Sequence, residues 1–251
     1  MERVSLYPAP TTEADADAIA AWLRERVDAE VSVRERFLDG ADEALAREFA
    51  RARVLSPYDR ATGSEMLGVV RYEERALSHP ERAGGVIYDG VAVQDALRER
   101  LPPKERSLDH AHVVLLDRVL GTWGAHDGRW HKRVTVLGQP ALLSVPGLYE
   151  APAKPEDYYR EQQRHALRSG DAPPREVLER EVQGSFLVED DPRTTDALRG
   201  YALQAVHYLE TGEAFCEDER CRLHNPHRQE GVVRAQLRDP AFCPVHERRY
   251  G

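Results

Sequence analysis

The sequence predicts an α/β fold: a mixed, mostly parallel sheet flanked by helices, with a zinc-bound segment at the C-terminal end. Three observations predict it. Residues 3–37 read strand, helix, strand, the pattern of a right-handed βαβ crossover joining two parallel strands. The run from His112 to Leu116 (HVVLL) is apolar at every position after the histidine, as a central strand buried on both faces must be. All three cysteines of the 251-residue chain fall in its last 36 residues, at Cys216, Cys221 and Cys243, and His246 follows the last of them.

In order along the chain, Arg3–Tyr7 alternates as a short strand, and a helix is expected from Thr11-Thr12-Glu13 to about Val27, with Ala18, Ile19, Trp22 and Leu23 at helical spacing. A second strand is read at 30–37, a helix at 42–53, a loop at Pro57-Tyr58-Asp59-Arg60 and a short helix at 63–75. Residues 84–88 read as the end of a strand. A helix at 93–100 is stopped by Leu101-Pro102-Pro103, because proline supplies no N–H. Residues 129–137 and 141–145 look like two strands joined at Gly138-Gln139-Pro140, and 156–169 and 175–182 like polar helices. The last long helix runs from Thr194-Thr195-Asp196 to a stop at Gly212. At 100° per residue Leu198, Ala202, Ala205, Val206 and Leu209 share one apolar stripe, and His207 is expected on the opposite, mixed side with Leu203 and Glu210. Residues 1–251 are expected to form a single domain, with 213–251 as its zinc-binding segment.

Composition narrows the classes of function. A net charge of −9, from 44 acidic against 35 basic residues, argues against a general nucleic-acid binder, which must neutralise phosphates. No apolar run reaches the length of a membrane span, and the first residues enter a strand rather than a leader, so a cytoplasmic protein is expected.

The chemical signal is Cys216-x4-Cys221, 21 intervening residues, then Cys243-x2-His246. Two short-range pairs of soft ligands separated by a helix-sized insert are the parts of a four-coordinate structural zinc site, which leaves no position for a reacting water. The competing reading is free or disulfide-bonded cysteines, against which stand their odd number and the absence of any other cysteine in the chain. His224 and His227 lie beside these pairs, as stand-in ligands or as hydrogen-bond partners of the ligands. Elsewhere, His110-Ala-His112 would place two imidazoles on one face of a strand, a metal-capable arrangement whose plainer reading is a polar start to the strand. His126 and His131 flank Asp127-Gly128, a hairpin turn where exposed histidines are the default. No serine-hydrolase elbow and no phosphate loop is present.

A long helix ending in glycine, followed at once by Cys-x4-Cys and later by a second ligand pair, resembles the archaemetzincins, a branch of the metzincin zinc peptidases. Cys216-x4-Cys221-x-Leu223 is similar to that family's start of its second zinc site, with Leu for Met. The closing pair is Cys243-x2-His246 instead of Cys-x2-Cys, after an insert two residues longer. The βαβ opening, the loop from Ser56 to Arg60 and the strand pair ending at 141–145 are also similar in layout. The resemblance implies a metzincin-like fold and a structural zinc. It also implies a catalytic motif, His-Glu-x2-His-x2-Gly-x2-His, that this chain does not carry. Counting back from Cys216, Gly212 falls on the motif's glycine, while Ala205, Leu209 and Phe215 fall on its histidines and Val206 on its glutamate. A shift of two residues keeps His207 but puts Tyr208, Thr211 and Glu217 at the remaining positions. The expectation is a peptidase relative that has lost its activity. The alternatives are a metallopeptidase working through a different set near His207 and Glu210, or a zinc-stabilised interaction module with a protein or peptide partner.

Overall fold

The computed structural model describes residues 1–10, 14–82, 84–182 and 185–251, with Arg82 by its backbone only. Strand β1 (Arg3–Tyr7) leads through helix α1 (Ala16–Arg24) to β2 (Glu30–Val33), and the two strands pair in parallel, Val4 opposite Val31. The expected helix start at Thr11-Thr12-Glu13 lies outside the described residues. Within them α1 is capped by Asp15, whose carboxylate accepts from the Ala18 N–H at 2.9 Å. Helices α2 (Glu43–Ala52) and α3 (Leu67–Ser78), strand β3 (Ile87–Asp89) and helix α4 (Gly90–Arg98) follow. A 3₁₀ turn at Pro103–Glu105 then leads into β4 (His110–Leu116), buried along its whole length. After it come β5 (Val119–Gly124), β6 (Arg129–Arg133), β7 (Thr135–Val136), β8 (Ala141–Ser144) and helices α5 (Gly147–Glu150), α6 (Glu156–Ser169) and α7 (Arg175–Glu181). Helix α8 (Thr194–Thr211) precedes α9 (Gln229–Gln236) and α10 (Pro244–Tyr250).

The main sheet has the order β2-β1-β4-β8-β7, parallel except for the antiparallel edge strand β7. A smaller sheet, β3-β5-β6, carries the hairpin whose turn holds His126 and Asp127. The fold class is therefore the mixed, parallel-rich α/β sheet flanked by helices that the sequence predicts. One strand was not legible: β5 (VLGTWG) contains two glycines and lacks a clean alternation. The segment expected as one strand at 129–137 divides at Val134, its first half joining the small sheet and its second half the large one.

Alternation along the central strands sends side chains to two cores. On one face Val4, Leu6, Ala111, Val113, Leu115 and Leu143 pack with Ile19 and Leu23 of α1 and with Leu198, Ala202 and Ala205 of α8. On the other, Tyr7, Val114, Leu116 and Leu142 pack with Leu45 and Phe49 of α2 and with Val93 and Leu97 of α4.

Helix α8 departs from its expected two-sided character. From Ala197 to His207 it is buried on nearly every side, because α1 and the sheet cover one flank and the C-terminal segment lies over the other. Leu223, Val232, Phe242 and Tyr250 of that segment belong to the same core as α8. The two approach closely at Gly200, where a Cβ would run into Gln236 Oε1. The helix stops as expected at Gly212, in the left-handed conformation (φ 77°) that favours glycine.

Candidate metal centre

The stop at Gly212 turns the chain back over α8, and the segment from Cys216 forms a tight knuckle. Cys216 N–H donates to Leu223 C=O (2.8 Å), Cys221 N–H to Asp218 C=O (3.0 Å) and His224 N–H to Cys221 C=O (2.9 Å). The knuckle is fixed to α8 by its buried glutamine: Gln204 Nε2 donates to the carbonyls of Arg222 (3.0 Å) and His224 (2.8 Å), and Gln236 Nε2 also donates to Arg222 C=O (3.0 Å). Arg222, itself buried, donates to Asp196 C=O (3.0 Å) and Asp196 Oδ1 (3.1 Å) near the start of the helix. Arg222 N–H bonds Ala241 C=O (3.0 Å), drawing the second ligand pair toward the first. Cys243 then caps α10, a helix not foreseen in the sequence, and His246 sits in that helix's first turn.

The result is a cluster of four donor atoms from Cys216, Cys221, Cys243 and His246. Cys216 Sγ lies 3.9 Å from Cys243 Sγ, and His246 Nδ1 lies 3.2 Å from Cys243 Sγ and 3.6 Å from Cys221 Sγ. No disulfide joins them. Tetrahedral bonds of about 2.3 Å to sulfur and about 2.0 Å to nitrogen place sulfurs about 3.8 Å apart and sulfur and nitrogen about 3.5 Å apart. The observed spacings fit a zinc ion to within a few tenths of an ångström.

The electrostatics suit a metal as well. Burial, with the neighbouring thiols, pushes the Cys216 thiol up to about 12 and raises that of Cys221. For Cys243 burial also acts upward, but the backbone N–H groups of His246 and Val245 and the other two thiols donate to its sulfur and hold it below the usual thiol range. Burial lowers His246, keeping the imidazole neutral, the form that has a lone pair to offer. A divalent ion bound among them would take the three sulfurs as thiolates and displace their protons.

Of the two neighbouring histidines, His224 donates through Nδ1 to Cys216 C=O (2.9 Å) and so supports the knuckle from outside the cluster, while His227 is exposed and apart from it.

His207, expected on the mixed side of α8, is only 3% exposed. Its Nδ1 is 2.8 Å from Tyr250 Oη, and its ring meets the His246 ring edge-on at 5.2 Å between centroids. Glu210 is engaged by Arg249 Nη2 at 2.8 Å and by the Tyr250 hydroxyl at 3.4 Å. Both residues therefore tie α10 to α8, and among the described residues neither belongs to a group of three potential metal ligands. At the positions where the resembled motif would hold metal and base, Ala205 and Val206 are wholly buried in the core, Leu209 packs against it, and Phe215 is half-exposed beyond the helix.

The structure also assembles a group that the sequence showed only in part. His110 and His112 stack with ring centroids 4.1 Å apart, and Glu105, from the preceding turn, joins them. His126, Asp127 and His131 gather on the exposed hairpin, as expected of turn histidines.

Among the described residues no helix is long and apolar enough to cross a membrane. A search of curated proteins finds no match. Among solved structures, the chain is similar to archaemetzincin from Methanopyrus kandleri, with 14% identity and a TM-score of 0.46 over 99% of this chain and 94% of that one. It is also similar to a zinc-dependent peptidase from Methanocorpusculum labreanum, with 12% identity and a TM-score of 0.43 over 99% of both chains. Over residues 5–249 the sequence matches the model of a family of unknown function (DUF7001), and the chain belongs to that family.

Proposed function

We propose that the chain holds one structural zinc ion through Cys216, Cys221, Cys243 and His246, and that it has lost the peptidase chemistry of the proteins it resembles. The metal fastens residues 213–251 over α8, and the surface so fixed is offered to a protein or peptide partner. The observation that supports this reading is the spacing of the four donor atoms, which fills a tetrahedron with protein ligands alone and leaves no coordination position for a water to be activated. A reducing compartment such as the cytoplasm would keep the thiols available to the metal. His207 and Glu210, the alternative catalytic pair, are taken up by Tyr250 and Arg249, which supports a role in packing rather than in hydrolysis.

Elemental analysis after exhaustive dialysis tests the reading. One zinc per chain is expected, both in the wild type and in His207→Ala. Two tightly held zinc ions in the wild type and one in His207→Ala would instead favour a metallopeptidase site beside α8.

A further inference from the structure

On the face of the main sheet opposite α8 and the cysteine cluster, Glu105, His110 and His112 converge where β4 begins. Glu105 Oε2 lies 4.0 Å from His110 Nδ1 and 3.9 Å from His112 Nε2. Both rings are almost wholly buried, yet His110 Nδ1 has no hydrogen-bond partner. A buried polar atom left unpaired is costly, and this one faces a carboxylate and a second imidazole.

The surroundings are those of a ligand set. Each histidine has its other ring nitrogen on a hydroxyl of β1, His110 Nε2 on Ser5 Oγ and His112 Nδ1 on Tyr7 Oη, both at 2.9 Å. Such contacts orient metal-binding imidazoles; they leave His110 Nδ1 free, whereas His112 Nε2 is engaged by the Glu105 carbonyl. The carboxylate is held in turn by the Arg34 fork, Nη1 to Oε2 at 2.7 Å and Nη2 to Oε1 at 3.2 Å, which also keeps it ionised. Burial disfavours the imidazolium form of both rings.

We propose that Glu105, His110 and His112 form a second, exchangeable site for a borderline divalent cation such as zinc or cobalt, bound through two nitrogens and one oxygen. The donor set suits that class of ion, and no thiolate is near to select a softer one. Bonds of about 2.1 Å call for ligand atoms about 3.4 Å apart; the observed 3.9 and 4.0 Å close by small rotations, mainly of Glu105, the most exposed of the three. Without metal, His112 Nε2 donates to Glu105 C=O at 3.0 Å. Metal binding would shift that proton to Nδ1, turning the Tyr7 hydroxyl from donor to acceptor, and would part Nε2 from the Glu105 carbonyl so that its lone pair meets the ion. Arg34 occupies one side of the carboxylate and keeps the site weaker than the cysteine cluster.

The test is a Co²⁺ titration of full-length protein whose cysteine site is already filled with zinc. We expect one further ion per chain, weak visible bands without a thiolate charge-transfer band, and paramagnetic shifts of the His110 and His112 ring signals in the wild type. Glu105→Gln and His110→Ala should each weaken this binding by about tenfold or more. Binding only at millimolar Co²⁺, no shift of either histidine, or equal affinity in both folded variants would overturn the proposal. The cysteine site can fail its own test without affecting this one, because the two share no residue.

Discussion

Cys221→Ser is expected to abolish tight zinc binding and to release the C-terminal segment. Cys221 is wholly buried, and its sulfur lies 3.6 Å from His246 Nδ1. A serine hydroxyl is a poor zinc ligand at neutral pH, and the remaining donors belong to two ligand pairs 21 residues apart in the chain, which the ion would cross-link. Structural zinc contributes on the order of 10 kcal/mol to the folding of small zinc domains. Here part of the docking is apolar, through Leu223, Val232, Phe242 and Tyr250, so the segment should loosen rather than unfold the whole chain. Limited proteolysis is the readout: with Cys221→Ser, or with chelator on the wild type, cleavage begins after Gly212. A segment equally resistant with and without metal would mean that apolar packing alone holds it.

Leu223→Ala separates that packing from the metal. Leu223 is wholly buried, two residues beyond Cys221, and its carbonyl accepts from the Cys216 N–H. Truncating a buried leucine costs about 2–5 kcal/mol, which for a chain of this size lowers Tm by roughly 5–15 °C. None of the four donor atoms is touched, so zinc stoichiometry should stay at one per chain while thermal stability falls. Loss of the ion from Leu223→Ala would show that the knuckle cannot keep its shape without this side chain.

The fold was legible where local pattern and tertiary environment agree. The βαβ start, the apolar run of β4, and Gly212 as the end of α8 each follow from one rule acting on a few residues. What failed did so for tertiary reasons. The wheel of α8 put His207 and Glu210 with Leu203 on a mixed side away from the core, because a helix reads as two-sided when only the sheet is imagined against it. The C-terminal segment covers that face, so its polar groups are spent on Tyr250, Arg249 and the knuckle carbonyls. Strand β5 was missed because Gly121 and Gly124 interrupt its pattern; a Cβ at Gly121 would come within 3.0 Å of Ile87, which shows why glycine is accommodated in this strand. The cysteine cluster was visible because its two ligand pairs are each local in sequence. Glu105 was not placed with His110 and His112, since only the turn before β4 brings it there.

The most direct test of the account is X-ray absorption at the zinc edge of the purified protein. Three sulfur neighbours at about 2.3 Å and one nitrogen at about 2.0 Å, with no further oxygen, are expected for an ion saturated by Cys216, Cys221, Cys243 and His246. A first shell with fewer than three sulfurs, or one containing a water oxygen, would contradict it.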